Sequence, residues 1–252
     1  MTPVRVLSYN IRSLRDDPAA VARVVRGPRP DVVCLQEVPR FLGWRLKRRR
    51  LARAGGLAVA SGRRAAGLAV LHGPRARVLH REYRLLSRVP GLHRRGLAVA
   101  VLEFGAGEGA ARLIAASTHL DLRDGPRRAH AAEIVELLGR VRAAYPAPVV
   151  LAGDVNEEPG GAAWTLLCGP FRDAYAAAPV GGAATFPARA PRRRIDGIFT
   201  SPEIGVSACG VPVGHDGHDG HDGHGEAGEA DAAADHVRAS DHRPLLAELA
   251  LP

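Results

Sequence analysis

Polar side chains that could carry out catalysis recur where apolar segments of the sequence end. Asp154 and Asn156 are two residues apart, so in an extended chain both point to one side while Val155 points to the other. The other candidates are Asn10, Glu37, His119, Asp196, Asp241 and His242. Carboxylate oxygens bind Mg²⁺ or Mn²⁺, a metal stabilises charge on phosphoryl oxygens, and a His–Asp pair activates water. These residue types therefore favour metal-assisted hydrolysis of phosphate esters.

The apolar segments before these residues predict the strands that position them. Alternating or continuous apolar runs bounded by Gly, Pro or Asp are typical of strands. The predicted strands cover residues 4–9, 31–35, 57–60, 67–71, 77–86, 96–104, 112–118, 149–152, 195–200 and 245–249. Some strands follow one another directly and others are separated by helices. We therefore predict a mixed α/β (α+β) domain in which two sheets pack together with helices outside.

Helices are predicted between several of these strands. One begins at Asp17, which suits an N-cap, with Pro18 in the first helical position. Residues 127–145 show the clearest helical periodicity, and residues 162–167 predict a short helix. Residues 41–54 predict a basic helix. Because a run of charges on a helix is usually a solvated face, we expect its arginines to lie in water rather than to bind phosphate.

The 252 residues are predicted to form a single domain, within which one segment has a different composition. This low-complexity segment, at about 213–236, contains three His-Asp-Gly triplets followed by small and acidic residues. Such a segment buries little apolar surface, so we expect a disordered surface loop. Imidazoles at three-residue spacing can also bind Zn²⁺, Ni²⁺ or Cu²⁺ weakly, but sequence drift in a tolerant loop is the favoured interpretation.

The formal net charge of +9 suits a partner that carries phosphate, including nucleic acid. Lys47 is the only lysine, so the abundant arginine also fits the codon bias of a GC-rich genome. Aromatic residues make up only 4% of the chain, which argues against an extended platform for base stacking. The charge therefore supports a phosphate-ester substrate without selecting one.

Other features of the sequence indicate a soluble protein. No apolar run approaches the roughly 18 residues that span a bilayer, so we expect no stable membrane insertion. Cys34, Cys168 and Cys209 are far apart and form no CxxC pair, as is typical of reduced thiols. No signal-peptide pattern precedes the first predicted strand. We therefore expect a cytoplasmic protein, and we expect it to be a monomer.

Six short motifs that contain the candidate residues resemble those of a known family. They are L-S-Y-N-I-R (7–12), L-Q-E-V (35–38), S-T-H-L (117–120), G-D-V-N (153–156), R-I-D-G-I (194–198) and S-D-H-R-P (240–244). In this order they are similar to the endonuclease/exonuclease/phosphatase family, which includes pancreatic-type deoxyribonucleases, abasic-site endonucleases, neutral sphingomyelinases and inositol-polyphosphate 5-phosphatases. The resemblance spans nearly the whole chain. It implies a four-layer α/β sandwich with two mixed sheets and the site at one end of it.

The resemblance also implies how a metal is held. Glu37 would be the principal ligand of Mg²⁺ or Mn²⁺, supported by Asn10 and Asp241. These three side chains lie in three different motifs, so the ligand set depends on the fold that brings them together.

The remaining candidates take catalytic roles under the same resemblance. Asp154 and Asn156 would orient water and phosphate. His242, paired with Asp196, would be the general base, and His119 would bind the phosphate or assist the leaving group. Either Asp154 or His242 would take the proton of water, and the sequence leaves both open.

The substrate class is less defined than the chemistry. Charge and the resemblance to the deoxyribonuclease branch slightly favour an endonuclease or exonuclease, and the residues around Asn10 and His119 make abasic-site specificity doubtful. The alternative is a phosphodiesterase or phosphatase that acts on sphingomyelin-type lipids or inositol phosphates. A catalytically silent binding module is disfavoured because Glu37, Asp154 and His242 are all present. Gly197, which follows Asp196, stands where relatives often carry a larger residue.

Overall fold

The computed structural model describes residues 1–212 and 225–252, and the side chains of these residues except 108 and 225–230. The strands of this part of the chain are β1 (Thr2–Asn10), β2 (Val32–Gln36), β3 (Ala58–Ser61), β4 (Ala69–His72), β5 (Ala76–Leu85), β6 (Gly96–Phe104), β7 (Ala111–His119), β8 (Val149–Asp154), β9 (Arg172–Asp173), β10 (Asp196–Thr200), β11 (Gly205–Gly210) and β12 (Leu245–Leu251).

The α-helices of the same residues are α1 (Pro18–Arg26), α2 (Trp44–Ala54), α3 (Asp124–Ala144), α4 (Ala162–Leu167), α5 (Ala174–Ala177) and α6 (Gly225–Ala239). Two short 3-10 helices span Arg12–Leu14 and Gly107–Gly109. None of the helices in the described residues combines the length and the apolar character that crossing a membrane requires.

The strands form two six-stranded sheets. The order in the first sheet is β11-β12-β1-β2-β4-β3, and the order in the second sheet is β5-β6-β7-β8-β10-β9. Each sheet has one parallel pair, β1 with β2 and β7 with β8. Strand β10 runs antiparallel to β8, so it begins at the edge where β8 ends. Residues at the carboxyl ends of β7 and β8 therefore lie next to the first residue of β10.

Apolar layers hold the sheets and helices together, and β6 shows how they arise. Its alternate residues Ala98 and Ala100 lie in the core between the two sheets, whereas Leu97 and Val99 lie in the core shared with α3 and α4. A third core lies between the first sheet and helices α1 and α2. The order of layers is therefore helix, sheet, sheet, helix. The predicted four-layer α/β sandwich is confirmed.

Local sequence signals account for several of the elements. Strand β6 and helix α4 have the predicted bounds, and Asp17 caps α1 by accepting from the backbone N–H of Ala19 at 2.8 Å and of Ala20 at 3.1 Å. Strand β11 was not predicted. It lies at the edge of the first sheet, where it pairs with β12, and Cys209 also bridges to Pro179 on its other side. Most of its residues are partly exposed, and its sequence lacks a clear apolar pattern.

Two expectations about the surface are wrong for part of their residues, whereas Arg45, Arg49, Arg50 and Arg53 of α2 are exposed as expected. Residues 225–236 of the segment predicted as a disordered loop belong to α6, while residues 213–224 lie outside the described residues. Alanine and glutamate favour helix, and α6 gains a tertiary partner because Asp235 forms an ion pair with Arg23 of α1 at 2.7 Å. On α2, Arg48 is buried, although the basic face of this helix was expected to be solvated.

Candidate active site

The eight candidate residues lie at the ends of strands or in the loops beside them. Asn10, His119 and Asp154 are the last residues of β1, β7 and β8, and Asp196 is the first residue of β10. Within the second sheet, Asp154 is paired with His119 on one side and with Asp196 on the other. The loops after β2, β8 and α6 carry Glu37, Asn156, Asp241 and His242.

Asp154, which belongs to the second sheet, contacts residues from both sheets in the site. From the first sheet, the side-chain N–H of Asn10 donates to Asp154 Oδ2 at 3.1 Å and to Glu37 Oε1 at 3.4 Å. The same Asp154 oxygen lies 3.4 Å from Nε2 of His119 and 3.7 Å from Nε2 of His242. Because Asp154 is only 1% exposed, these neighbours fix the orientation of its carboxylate.

His242 and Asp196 form a buried pair beside Asp154. Nδ1 of His242 lies 2.8 Å from Asp196 Oδ2. Burial by itself would lower the pKa of His242, but the charges of Asp196, Asp154 and Asp241 and the hydrogen bond to Asp196 raise it to about 10. Ser240 holds this loop, because its hydroxyl donates to the last carbonyl of β1 at 2.7 Å and accepts from the His242 backbone N–H at 3.3 Å.

The pKa of His119 is shifted in the direction opposite to that of His242. Burial lowers the pKa of His119 to about 4, with help from the positive charge of Arg95 and against the attraction of Asp154. The side-chain nitrogen of Asn156 lies 3.0 Å from the carbonyl that follows His119 and 3.0 Å from His119 Nε2. Since an amide nitrogen only donates, His119 Nε2 accepts and the imidazole is neutral. His119 therefore holds Asn156 in place.

Two site residues adopt left-handed backbone conformations, which cost a residue with a side chain roughly 1–2 kcal/mol. Glu37 has φ 49° and Asn156 has φ 57°. The Glu37 carbonyl accepts from the Ser13 N–H at 2.7 Å, and the Asn156 N–H donates to Asp154 Oδ1 at 2.9 Å. At Gly153 a Cβ would lie 2.2 Å from a backbone oxygen of β7, so only glycine fits before Asp154. Backbone strain of this kind is often held at functional sites.

Arg12 lies between two of the predicted metal ligands, Asn10 and Asp241. Glu37 is half-buried and contacts the Asn10 amide. The Asn10 side-chain oxygen accepts from the backbone N–H of Arg12 at 3.1 Å. On its other side, the Arg12 guanidinium lies 3.3 Å from Asp241 Oδ2. Arg12 belongs to the L-S-Y-N-I-R motif but was not among the predicted site residues, because nothing local marks it as a partner of Asp241.

The predicted ligands Glu37, Asn10 and Asp241 offer carboxylate and amide oxygens, which suit a hard divalent cation. Asp154, Asp196 and His242 place donor atoms within 4.8 Å of one another, a set that differs from the predicted ligands. His242 Nδ1 is already bonded to Asp196, so this group is better described as a proton-holding pair beside a carboxylate. Asp196 Oδ1 is buried and has no hydrogen-bond partner among the described residues, so the pair keeps one unsatisfied carboxylate oxygen beside Asp154.

A cavity of about 310 Å³ opens beside the acids and imidazoles. Its basic lining residues are Arg15, Arg40, His93, Arg94 and Arg95. Arg95 lies 3.5 Å from Asp121, whereas the other arginines of the lining have no acidic partner in the part of the chain that the structure describes. These residues were not predicted, since they come from separate loops and share no motif. The cavity thus combines an acidic wall with a basic rim.

A buried arginine, also not predicted, ties together the loops that follow β7 and β8. Nη1 of Arg127 donates to the carbonyls of Asp121 at 3.2 Å, Leu122 at 3.0 Å and Asn156 at 3.2 Å. Its other nitrogens donate to Glu157 Oε1 at 3.2 and 3.1 Å. Arg127 is 5% exposed. In the sequence it was only the first residue of a predicted helix, because its partners are distant from it or are backbone atoms.

Gly197 is explained by the core next to the site. A Cβ at this position would lie 2.6 Å from the ring of Phe199 and 3.0 Å from the ring of Trp164. These two rings pack edge to face with 5.0 Å between their centroids. Because they occupy the space that a side chain would need, the larger residue of relatives does not fit here without repacking.

The two-sheet sandwich, with acids, amides and imidazoles gathered at one edge, defines a phosphoesterase fold. The sequence model of the Endonuclease/Exonuclease/phosphatase family matches residues 7–242, so the chain belongs to this family. Members of the family are hydrolases that act on phosphate esters, generally with divalent metals. No curated protein sequence matches the chain significantly.

Solved structures share the fold at low sequence identity. The endonuclease/exonuclease/phosphatase from Bacteroides vulgatus is 22% identical with a TM-score of 0.78, and 100% of each chain is covered. A mannosyl-6-phosphatase from Bacteroides thetaiotaomicron is 19% identical with a TM-score of 0.76, covering 98% of this chain and 99% of its own. TDP2 from D. rerio, complexed with a single strand DNA product, is 18% identical with a TM-score of 0.69, covering 99% and 100%.

Proposed function

We propose that the chain is a divalent-metal-dependent phosphoesterase that hydrolyses phosphodiester bonds, with a polynucleotide as its substrate. The observation that carries the proposal is the position of Asp154, 3.4 Å from His119 and 3.7 Å from His242 at the wall of a cavity with a basic rim. The wall supplies groups that accept and hold protons, and the rim attracts the negative charge of the ester.

The metal would be held by Glu37 together with Asn10 and Asp241. When bound, Mg²⁺ or Mn²⁺ stabilises negative charge on the phosphoryl oxygens. The protein's own contribution is to hold Glu37: its left-handed backbone aims the side chain at the cavity, and the Asn10 amide donates to its carboxylate at 3.4 Å.

The remaining site residues are arranged to activate water. Hydrolysis needs an acceptor for the proton of the attacking water and a proton for the ester oxygen that leaves. Asp154 and His242 both face the cavity and are the two groups that can accept or donate these protons. Asp196 orients the His242 imidazole through Nδ1, and neutral His119 keeps Asn156 beside Asp154.

A polynucleotide is favoured by charge and by one neighbour. Arg15, Arg40 and Arg94 line the cavity without an acidic partner among the described residues, and the chain carries a net charge of +9. Cations placed in this way bind successive phosphates of a backbone. D. rerio TDP2, which shares the fold, was solved with a single strand DNA product.

A specific observation also supports a second candidate, hydrolysis of a phospholipid or inositol phosphate. Next to Arg40 of the cavity rim, Phe41 is 77% exposed and Leu42 is 96% exposed. Large apolar side chains beside arginines suit contact with an anionic lipid surface. The mannosyl-6-phosphatase neighbour is described as acting on a phosphorylated sugar, so the fold also accommodates small esters.

A substrate panel with Mg²⁺, Mn²⁺ or EDTA tests the proposal. The panel contains plasmid, single-stranded oligonucleotide, RNA, sphingomyelin, inositol phosphates and bis-p-nitrophenyl phosphate. We expect metal-dependent cleavage of nucleic acid, with KM rising steeply between low and physiological salt because counterions are released on binding. Full activity after exhaustive chelation would contradict the metal mechanism. Hydrolysis of lipid or inositol phosphate without any nicking of plasmid would favour the second candidate.

We further propose that the protein acts in the cytoplasm as a monomer. Its three cysteines are free and Cys168 is exposed, which suits a compartment where thiols stay reduced. Light scattering coupled to size exclusion measures the oligomeric state, and the mass of a dimer would contradict the proposed monomer.

A further inference from the structure

A second cavity, of about 510 Å³, lies beside helix α2 and shares no lining residue with the catalytic cavity. One wall is the face of α2 that carries Arg48, Arg49 and Arg53. The other walls are residues 57–63, from the start of β3 into the loop before β4, and residues 81–83 of β5. The candidate catalytic residues do not line this cavity, so the proposed hydrolysis gives it no role.

Arg48 is the unusual residue of this cavity. It is 8% exposed, and its Nε and Nη1 atoms are buried with no hydrogen-bond partner among the residues that the structure describes. Its guanidinium stacks over the Trp44 ring, with the carbon 4.7 Å from the ring centroid, which accounts for one face but for none of its N–H groups. Burial and the neighbouring Arg45 and Arg49 lower the pKa of Arg48. A buried cation whose N–H groups have no acceptor destabilises the folded protein, unless a ligand accepts those hydrogen bonds.

The other charges around the cavity are also positive. Arg49, Arg53, Arg63 and Arg81 are exposed, and none has an acidic partner within the described ranges of the chain. Glu82 is the acid of the lining, and its carboxylate is taken by an ion pair with Arg84. The cavity therefore presents several free guanidinium groups around one buried guanidinium.

We propose that this cavity is a second anion site, which binds a phosphate group through Arg48 and the exposed arginines around it. A tetrahedral phosphate accepts several hydrogen bonds from different directions, and a guanidinium donates to it in a bidentate fashion. A single water could accept from Arg48 but would leave the surrounding positive charge unbalanced. The bound phosphate supplies the negative charge that balances the Arg48 guanidinium.

The position of Tyr83 connects this site to the catalytic cavity. The Tyr83 hydroxyl accepts from the backbone N–H of Ala66 at 2.9 Å, and Ala66 lines the catalytic cavity. The positive charges of Arg40, Arg48 and Arg63 all act on the Tyr83 hydroxyl, so arginines of both cavities lie near it. The phosphate can come from solution or from a polynucleotide whose scissile bond lies in the catalytic cavity, and the second source rests on the proposed function.

Calorimetric titration of the protein with inorganic phosphate in EDTA tests the site without any turnover. We expect the Arg48→Met variant to bind phosphate at this site at least about tenfold more weakly than the wild type, since charge-assisted hydrogen bonds are lost. Arg50→Met is the matched control, because Arg50 is an exposed residue of α2 that does not line the cavity. Arg81→Gln, on the opposite and exposed wall, should also weaken binding.

Trp44 fluorescence locates the response, because this ring lies directly against Arg48. Phosphate should change the emission of the wild type and of Arg50→Met, and should leave that of Arg48→Met unchanged. Equal phosphate binding by wild type and Arg48→Met, or the absence of binding by wild type, would overturn the proposal.

Kinetics then distinguish the two sources of phosphate. If the substrate supplies it, Arg48→Met raises KM for an oligonucleotide about tenfold and leaves kcat, and KM for bis-p-nitrophenyl phosphate, unchanged. If KM is unchanged for both while the titration shows binding, the site takes free phosphate. Absence of hydrolysis of either compound would count against the proposed function, whereas the titration would still decide the anion site.

Discussion

The two cavities of this molecule hold their buried charges in opposite ways. At the catalytic cavity, His242 is 6% exposed and bonded to Asp196, and Asp154 is 1% exposed and accepts from Asn10. At the cavity beside α2, Arg48 is 8% exposed, which is a similar burial, yet two of its nitrogens have no partner among the described residues. His242 and Asp154 are thus each bound to an oppositely charged or polar group of the protein, and Arg48 has no acidic partner in the same residues.

This difference separates a preorganised site from a site completed by its ligand. Buried groups that hydrogen-bond to one another keep their orientation before a substrate arrives, which is what catalysis requires. A buried cation without partners destabilises the protein until an anion binds. The catalytic network should therefore lose activity when a member is removed, whereas removal of Arg48 should improve stability and weaken anion binding.

The largest effect is expected from breaking the paired network at its centre. His242→Ala and Asp154→Asn should each lower kcat by at least roughly 10²-fold, the usual scale for loss of a group that transfers a proton. Because His242 and Asp196 act as a unit, the double variant His242→Ala with Asp196→Asn should be little slower than His242→Ala alone. Steady-state rates on the best substrate measure this, with circular dichroism as the control for folding. Near-wild-type turnover, or losses that simply multiply, would contradict the assignment.

Removing a supporting member of the network should cost stability as well as rate. Arg127→Met leaves the partly buried Glu157 without its ion pair, which should lower the free energy of unfolding by about 3 kcal/mol. It also frees the loop that carries Asn156, so kcat should fall. Urea unfolding and rate measurements on Arg127→Met and on Arg128→Met, its exposed neighbour, provide the comparison. Equal stability of the two variants would show that Arg127 does not hold these loops.

His236 shows what burial does to an imidazole away from both cavities. Burial and Arg243 lower the pKa of His236 to about 4, although Asp235 opposes the shift. The unfolded chain takes up this proton below about pH 6.5 while the native chain does not, so stability falls as pH decreases from 6.5 towards 4. The loss attributable to His236 is up to about 3 kcal/mol. Urea titrations across this range should show a shallower decline for His236→Gln, and an unchanged decline would refute the assignment.

The smallest effect is expected from replacing the buried Arg48. In buffer without phosphate, Arg48→Met should raise the free energy of unfolding by about 1–2 kcal/mol, because it removes a buried group with unsatisfied donors. Added phosphate should raise the melting temperature of the wild type and leave that of Arg48→Met unchanged. Arg50→Met provides the baseline for losing one surface charge of α2. A destabilised Arg48→Met would mean that Arg48 is satisfied by the protein itself.

Much of the sandwich follows from local sequence, because strand alternation and helix caps act over a few residues. The run 96–104 became β6 with both faces buried, and Asp17 with Pro18 began α1 as predicted. The segment 225–236 is the counterexample. Its composition indicated a loop, but a helix there packs on α1, a contact that composition does not reveal.

The order of residue types along the chain was sufficient to show which polar groups follow which strands, and the six motifs were enough to indicate the family and its chemistry. Which of those side chains meet depends on how distant segments pack in the fold. Asn10 and Asp154 touch across the two sheets although 144 residues separate them, and Arg12 joins Asp241 to Asn10 through contacts that no motif spacing implies. Likewise, Arg48 could not be told from the solvated arginines beside it. Periodicity reports the face on which a residue lies, whereas burial and pairing depend on what distant segments bring against that face.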